Sequence, residues 1–306
     1  MAVDAGADFF KMQHFDVAKL VNASDKEWYQ RLSVKQVPNE FIRDAKALCD
    51  ERGIPFLCTA HDEASLEYLL AESLIKSVKI GSGECGNRRL LEMAISSGYP
   101  ILISLGMHTH IDVMRLISYL SDRKCENVVL LHCVTGYPVE SSNVNLSYVS
   151  ELRSFCPYLV GYSDHTEGIT FPVAAVALGA CLIEKHISVD FNVAGSQDWK
   201  VSLSGTELRA FMRAVGELHE GIRVQSDSAL TSKGTSPQEL KSKEWAMKSP
   251  YLKRSVKAGS KLELDDVVFM RPFTGLTESD VLLLLGREFM VDVSLGDPVF
   301  SNILHK

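Results

Sequence analysis

Two short polar runs hold the densest chemistry in this sequence. Tyr162-Ser163-Asp164-His165-Thr166 follows an apolar run at 158–160, and Glu184-Lys185-His186 follows a second at 181–183. Between them, an Ala-rich stretch that stops at Gly179 reads as a helix. In a parallel strand–helix–strand unit, the C-terminal ends of the two strands lie side by side. His165 and His186, 21 positions apart, therefore share one face. Two neutral imidazoles with Asp164, Glu184 and Asp198 nearby suit a divalent metal.

The elements that must position these groups recur along the chain. The apolar runs at 9–11, 55–58, 77–80, 101–103, 128–131, 158–160 and 181–183 each end in polar residues. The strand-end residues Thr59, Ser82, Ser104, His132, Ser163 and His186 are spaced by 22 to 31 positions, about one βα unit. Helical periodicity fills the intervals. One helix opens at Asn39, with Phe41, Ile42, Ala45 and Leu48 as its apolar positions. Another opens on a capping box, Ser204 with Glu207. Continuous apolar strands alternating with helices imply a parallel sheet, and the expected fold class is α/β, a TIM (β/α)8-type barrel with seven strands recognisable. The first strand of such a barrel is expected to be missing. Residues 16–38 read as an irregular loop.

The expected domains are a barrel over 1–225, a linker over 226–249 and a small β-rich module over 250–306. Residues 222–249 lose apolar periodicity, with Trp245 and Met247 as anchors, and the later segments turn at Ala258-Gly259 and Gly296-Asp297.

Composition narrows the function classes. The 306 residues are 46% hydrophobic and 23% charged, as in a globular protein. A net charge of -7 without a basic stripe argues against nucleic acid. No apolar run approaches membrane-spanning length, and VLLLLG at 281–286 is too short. The seven cysteines are scattered, with no CxxC pair, and read as reduced thiols of a cytoplasmic protein. Cys133 reads as a core thiol rather than a nucleophile. His14, His61, His108, His110 and His219 read as surface or loop residues without a role.

A barrel places its chemistry at the C-terminal ends of its strands. Lys11, Gln13, Thr59, Lys79, Ser82, Glu84, Ser104, Thr135, Tyr137, Ser163, His165, Glu184, His186 and Asp198 fall there. Lysines and hydroxyls hold phosphate and carboxylate oxygens, and the histidines add a metal, so the set suits a phosphorylated anion beside a cation.

The motifs AGADFFKMQ, SVKIGSGE, ILISLGM, LLHCVTGYPVESSNVNL, VGYSDHTEGI and ALGACLIEKHI, in this order, resemble those of the N-acetylneuraminate (sialic acid) synthase family, which includes legionaminate and pseudaminate synthases. The C-terminal module, with MRPFTG, resembles the antifreeze-like (SAF) domain of those enzymes. The resemblance implies condensation of phosphoenolpyruvate with an open-chain N-acyl amino sugar, N-acetylmannosamine or a di-N-acyl 6-deoxy hexose, giving a nonulosonic acid and phosphate. It implies that His165 and His186 bind Mn²⁺ or Mg²⁺. Lys11, Lys79, Thr59, Ser82, Ser104 and Ser163 would hold phosphoenolpyruvate. Gln13, Tyr137 and Asp198 would face the sugar, with Thr135 and Asp164 also at the substrate and Glu84, Asp198 and Glu184 as acid–base candidates. It further implies a domain-swapped homodimer in which Arg271 contacts the acyl end of the sugar. Tyr137, before Pro138, packs a turn or touches the sugar. Glu184 serves the reaction directly or supports the histidines.

The chain departs from the family at four places. The opening strand with its Glu and Asn-His-Gly turn has no match, Leu105 replaces the usual Thr, and Thr135 replaces Asn or Ser. The loop to Asp198 is one residue longer than usual. The rival expectation is a truncated, non-catalytic homologue that binds sugar or serves as a dimer partner.

Overall fold

The computed structural model describes residues 1–223 and 235–305. The chain divides into two compact units, Met1–Asp227 and Ser228–Lys306.

The first unit is built on seven parallel strands: β1 (Phe10–His14), β2 (Phe56–Ala60), β3 (Val78–Ile80), β4 (Ile101–Ser104), β5 (Val128–Cys133), β6 (Leu159–Asp164) and β7 (Ile183–Lys185). Their spatial order is their sequence order. Each strand pairs with the next through a helical crossover, which is how a TIM-barrel-like sheet curls. Among the described residues β1 and β7 are not paired with each other, so the barrel is open at that seam. A single parallel bridge, Ile187 to Leu203, continues the line of β7.

The strands form at the expected apolar runs, except that β7, expected over 181–183, forms over Ile183–Lys185 and so takes in Glu184 and Lys185. Strands β2, β3 and β4 are buried at every position, as expected when one face meets helices and the other a filled interior. Between strands and helices lies one core cluster, in which Ile42, Leu66, Leu69, Ile80, Leu90, Ile103, Leu120, Leu130, Val149 and Leu152 are fully excluded from water. A smaller cluster of Leu203, Leu208 and Phe211 seats the helix Gly205–Arg223 against Met1, Ile183 and Ile187. Gly161 lets β6 lie close to its neighbours: a Cβ there would fall 2.5 Å from Leu131 Cδ2 and 2.6 Å from the Leu182 carbonyl oxygen.

The structure corrects several local expectations. Residues 16–38 contain two helices, Val17–Leu20 and Lys26–Ser33, whose ends are capped by the carboxylates of Asp16 and Asp25. Those caps satisfy helix donors that no apolar periodicity announces. Asn39 is the first helical residue rather than the cap, and Pro38 occupies the cap position. Phe41 and Leu48 are 52% exposed, so that helix buries a narrower stripe than its apolar pattern suggests. The Ser204–Glu207 capping box forms as read, with Ser204 N–H donating to Glu207 Oε2 at 2.8 Å and Glu207 N–H to Ser204 Oγ at 3.3 Å.

The expected linker, 226–249, falls partly outside the described residues, at 226–234. Within its remainder, Pro237–Ala246 is a helix with its own capping box between Ser236 and Glu239. Trp245 is 65% exposed and anchors nothing through burial of its ring. The rest of the second unit pairs β8 (Ser249–Leu252) with β9 (Val267–Met270) antiparallel. Its own core includes Phe289, Val281 and Val299, and a helix at Glu278–Leu284 is boxed by Thr277 and Asp280. The turns expected at Gly259 and Gly296 are present, both with positive φ.

Candidate active site

The C-terminal ends of the strands surround a cavity of about 130 Å³. Lys11, Gln13, Thr59, Lys79, Ser82, Ser104, Thr135, Tyr137, Ser163, His165, Glu184 and His186 line it. They come from all seven strands and the turns after them. A parallel sheet with helical crossovers brings such residues together from 176 positions of sequence (Lys11 to His186, both counted).

Glu184 is the electrostatic centre. Its carboxylate lies 3.4 Å from Lys11 Nζ and 3.7 Å from Lys79 Nζ, and it accepts from Ser163 Oγ at 3.1 Å. Burial alone would raise its pKa. The two lysines, His186 and the serine outweigh that and hold it well below the carboxylate range. Lys79 is the largest fully buried side chain. Its ammonium donates to Ser104 Oγ at 2.7 Å and to the Ile80 carbonyl at 3.1 Å. Burial lowers its pKa, while the adjacent Glu184 pulls it back up. Lys11 reaches Thr59 Oγ1 at 3.4 Å. Two ammonium groups against one carboxylate, ringed by hydroxyls, leave a net positive pocket matched to an anion.

The two histidines meet beside it with ring centroids 5.3 Å apart. Nδ1 of His165 lies 2.8 Å from the Val134 carbonyl. A carbonyl only accepts, so it fixes the Nδ1–H tautomer and leaves the Nε2 lone pair facing the cavity. Tyr137 supplies a hydroxyl 3.1 Å from that Nε2. Burial holds the Tyr137 phenol well above its usual range and both imidazoles below theirs, His186 to about 4, with Lys11 and His165 adding to the effect on His186.

A neutral imidazole oriented from behind, as His165 is by the Val134 carbonyl, is what a divalent cation requires of histidine. Among the described residues, no group of three His, Cys, Asp or Glu is arranged to hold a metal. The imidazoles that meet at the cavity are two, His165, whose Nε2 faces the Tyr137 hydroxyl, and His186, so a cation here could be held only with its other positions left to water or substrate oxygens.

Two glycines shape the pocket. A Cβ on Gly106 would fall 2.3 Å from Thr135 Oγ1 and 2.7 Å from Ser82 Oγ, and Gly106 N–H donates to that Ser82 oxygen at 3.0 Å. A Cβ on Gly81 would press on the His61 ring at 3.1 Å.

Four expected site residues do not line the cavity. Asp164 is fully buried and faces Lys185, on the other side of its strand. Glu84 sits on the turn after β3 with Oε1 3.9 Å from His61 Nδ1. Asp198 is half exposed at the start of a short helix and pairs loosely with Lys35 at 3.9 Å. Arg271 belongs to the second unit, where its Nε donates to the Ala246 carbonyl at 2.7 Å. Conversely, His61, Met107 and Cys133 line the cavity although none of them was expected to have a role there. Burial raises the pKa of the Cys133 thiol, as suits an inert neighbour of His165 at 3.8 Å. His14, read as a surface residue, is 5% exposed.

Comparison with known proteins decides the family. A profile described as the NeuB family matches residues 1–225, about three quarters of the chain. The chain belongs to the NeuB family. Its relatives include an N,N'-diacetyllegionaminic acid synthase of Legionella pneumophila, 30% identical over 96% of this chain and 85% of that protein. An N-acetylneuraminate-9-phosphate synthase of Drosophila melanogaster is 31% identical, covering 98% and 89%. The NeuB fold is also shared with the solved N-acetylneuraminic acid (sialic acid) synthetase of Leptospira borgpetersenii in complex with citrate. That match has a TM-score of 0.68 and 29% identity over 79% of this chain and 82% of the other. This NeuB chain is thus similar throughout to synthases of nonulosonic acids.

Proposed function

We propose that this chain condenses phosphoenolpyruvate with an open-chain N-acyl amino sugar to form a sialic-acid-like nonulosonic acid, releasing phosphate. The observation that carries this is the pairing of Lys11 and Lys79 around Glu184, with Ser104, Thr59 and Ser163 about them, directly beside two neutral histidines. A compact anion with phosphate and carboxylate groups fits that half of the cavity, and a polar carbonyl compound fits the other.

In this reading the lysines and hydroxyls hold the phosphate and carboxylate of phosphoenolpyruvate, which orients its C3 toward the sugar aldehyde. C3 attacks the aldehyde carbon, water adds at C2, and loss of phosphate from C2 leaves the 2-keto acid. The lysines stabilise negative charge on the phosphate as it departs. The Tyr137 hydroxyl stands beside the aldehyde half of the cavity, where it could turn from His165 Nε2 to the sugar carbonyl, and Gln13 stands at the mouth. Mn²⁺ or Mg²⁺ held by His165 and His186 would supply Lewis-acid polarisation of the sugar carbonyl.

The second unit is read as the antifreeze-like module of a domain-swapped homodimer, with Arg271 serving the sugar's acyl end in the partner barrel, and the enzyme as cytoplasmic. A sugar-binding homologue without turnover is the competing reading, and the open seam between β1 and β7 is its motive. Phosphate release from phosphoenolpyruvate, assayed with a panel of N-acyl hexosamines and with Mn²⁺ or chelator, tests the proposal. Sugar-dependent release is expected. A folded chain that releases no phosphate with any sugar of the panel would leave only the binding role.

A further inference from the structure

We propose that the buried ion pair of Asp164 and Lys185 is a positioning device that sets the separation of His165 and His186. The proposal rests on the reading of the cavity as a two-histidine synthase site.

Strands β6 and β7 meet as a ladder of three pairs. Tyr162 stands opposite Ile183, Ser163 opposite Glu184 and Asp164 opposite Lys185, and His165 and His186 come next, beyond the ladder. Side chains alternate between the faces of a strand, so Ser163 and Glu184 and, one step beyond the ladder, His165 and His186 point into the cavity, while Asp164 and Lys185 between them point out. The inward pairs are the Ser163–Glu184 hydrogen bond of 3.1 Å and the histidine rings 5.3 Å apart. The outward pair is Lys185 Nζ and Asp164 Oδ2 at 2.6 Å, with side chains 2% and 0% exposed.

The connections around this pair bracket His165. Lys185 also donates to the carbonyl of Thr166. Asp164 accepts from Tyr162 OH at 2.7 Å, from Thr166 Oγ1 at 3.0 Å and from Thr166 N–H at 3.3 Å. One ammonium thus holds the residue before His165 and the residue after it, while Lys185 itself immediately precedes His186. None of Tyr162, Asp164, Thr166 and Lys185 lines the cavity, so their chemistry is not spent on substrate. Buried ion pairs seldom stabilise more than apolar residues of the same shape would. What they add is direction, because charged hydrogen bonds tolerate little sliding. β7 is only three residues long, and its ladder with β6 has three register positions. A directional lock matters most on such a short strand.

The test compares wild type with Lys185→Met, with the uncharged double variant Asp164→Asn/Lys185→Gln, and with Val113→Ala as a control at a buried core position that does not line the cavity. The double variant keeps size and hydrogen-bonding groups, so it remains informative if the single variant does not fold. In its crystal structure the histidine rings are expected to shift by on the order of 1 Å. Its kcat should fall about 10- to 100-fold. The KM for phosphoenolpyruvate should stay unchanged, since the anion is held by the inward lysines. Val113→Ala should leave both ring separation and kcat in place.

Wild-type ring separation and kcat in the double variant would overturn the proposal. So would an equal fall of kcat in the control. If wild type itself releases no phosphate, the synthase reading fails, and the ring separation in the double variant alone then decides whether the pair positions the histidines.

Discussion

The hydroxyl of Tyr137 lies 3.1 Å from Nε2 of His165, with the two rings 4.3 Å apart. With Nδ1 committed to the Val134 carbonyl, Tyr137 is the protein group that meets the one free lone pair of this histidine. Tyr137→Phe keeps the ring packing and removes only the hydroxyl. A neutral hydrogen bond contributes about 1 kcal/mol, so kcat/KM should drop roughly five-fold. The melting temperature should hardly move. Steady-state kinetics beside a thermal melt separates this from a structural role, in which stability falls and kinetics do not.

Removing the charge of Glu184 should separate binding from turnover. Glu184→Gln leaves Lys11 and Lys79 without the carboxylate that lies 3.4 and 3.7 Å away. The anion pocket becomes more positive. Calorimetry should show phosphoenolpyruvate binding at least as tightly as in wild type, while turnover falls by about 100-fold or more. Weaker binding together with retained turnover would contradict this placement of the charge.

Gly106 makes room for two pocket hydroxyls. Gly106→Ala would drive a methyl against Thr135 Oγ1 and Ser82 Oγ, at a cost of about 1–3 kcal/mol from overpacking. Phosphoenolpyruvate affinity should fall with it. Because Thr135 supplies the closer atom, adding Thr135→Ala should recover part of the lost stability. A double variant no more stable than Gly106→Ala would place the clash elsewhere.

Asp62 gives a pH dependence outside the cavity. Its buried carboxylate accepts from Asp16 N–H at 2.8 Å, Ser65 N–H at 2.9 Å and Ser65 Oγ at 2.7 Å. Burial would raise its pKa, but these hydrogen bonds prevail and lower it. A carboxylate with a depressed native pKa stabilises the fold above its unfolded value and ceases to do so as pH falls through the native value. Asp62→Ala should therefore cost about 1–2 kcal/mol at neutral pH, and its deficit should shrink in acid. Urea unfolding at several pH values measures this, and a deficit that grows in acid would refute it.

The strand-end chemistry was legible because parallel strands advertise themselves as apolar runs, and every run ends in the groups that meet at the cavity. Asp164 was placed with its neighbours, yet strand alternation turns it outward between the inward Ser163 and His165. That parity was available in the sequence. His61 was not: it reaches the cavity two residues past Thr59 because Gly81, on the turn just after the next strand, has no Cβ to oppose it. Glu84 and Asp198 sit on short 3₁₀ turns, whose directions depend on contacts that no periodicity records. The helices within 16–38 were hidden for a related reason. Their ends are fixed by aspartate caps, and Lys26–Ser33 buries no residue fully.

The most direct measurement follows the carbons. Purified protein is incubated with ¹³C-labelled phosphoenolpyruvate, an N-acyl hexosamine and Mn²⁺, and phosphate and product mass are read together. Condensation predicts one phosphate per product and a 2-keto acid carrying all the label joined to the sugar. Labelled pyruvate with free sugar, or no phosphate from a folded chain, would contradict it.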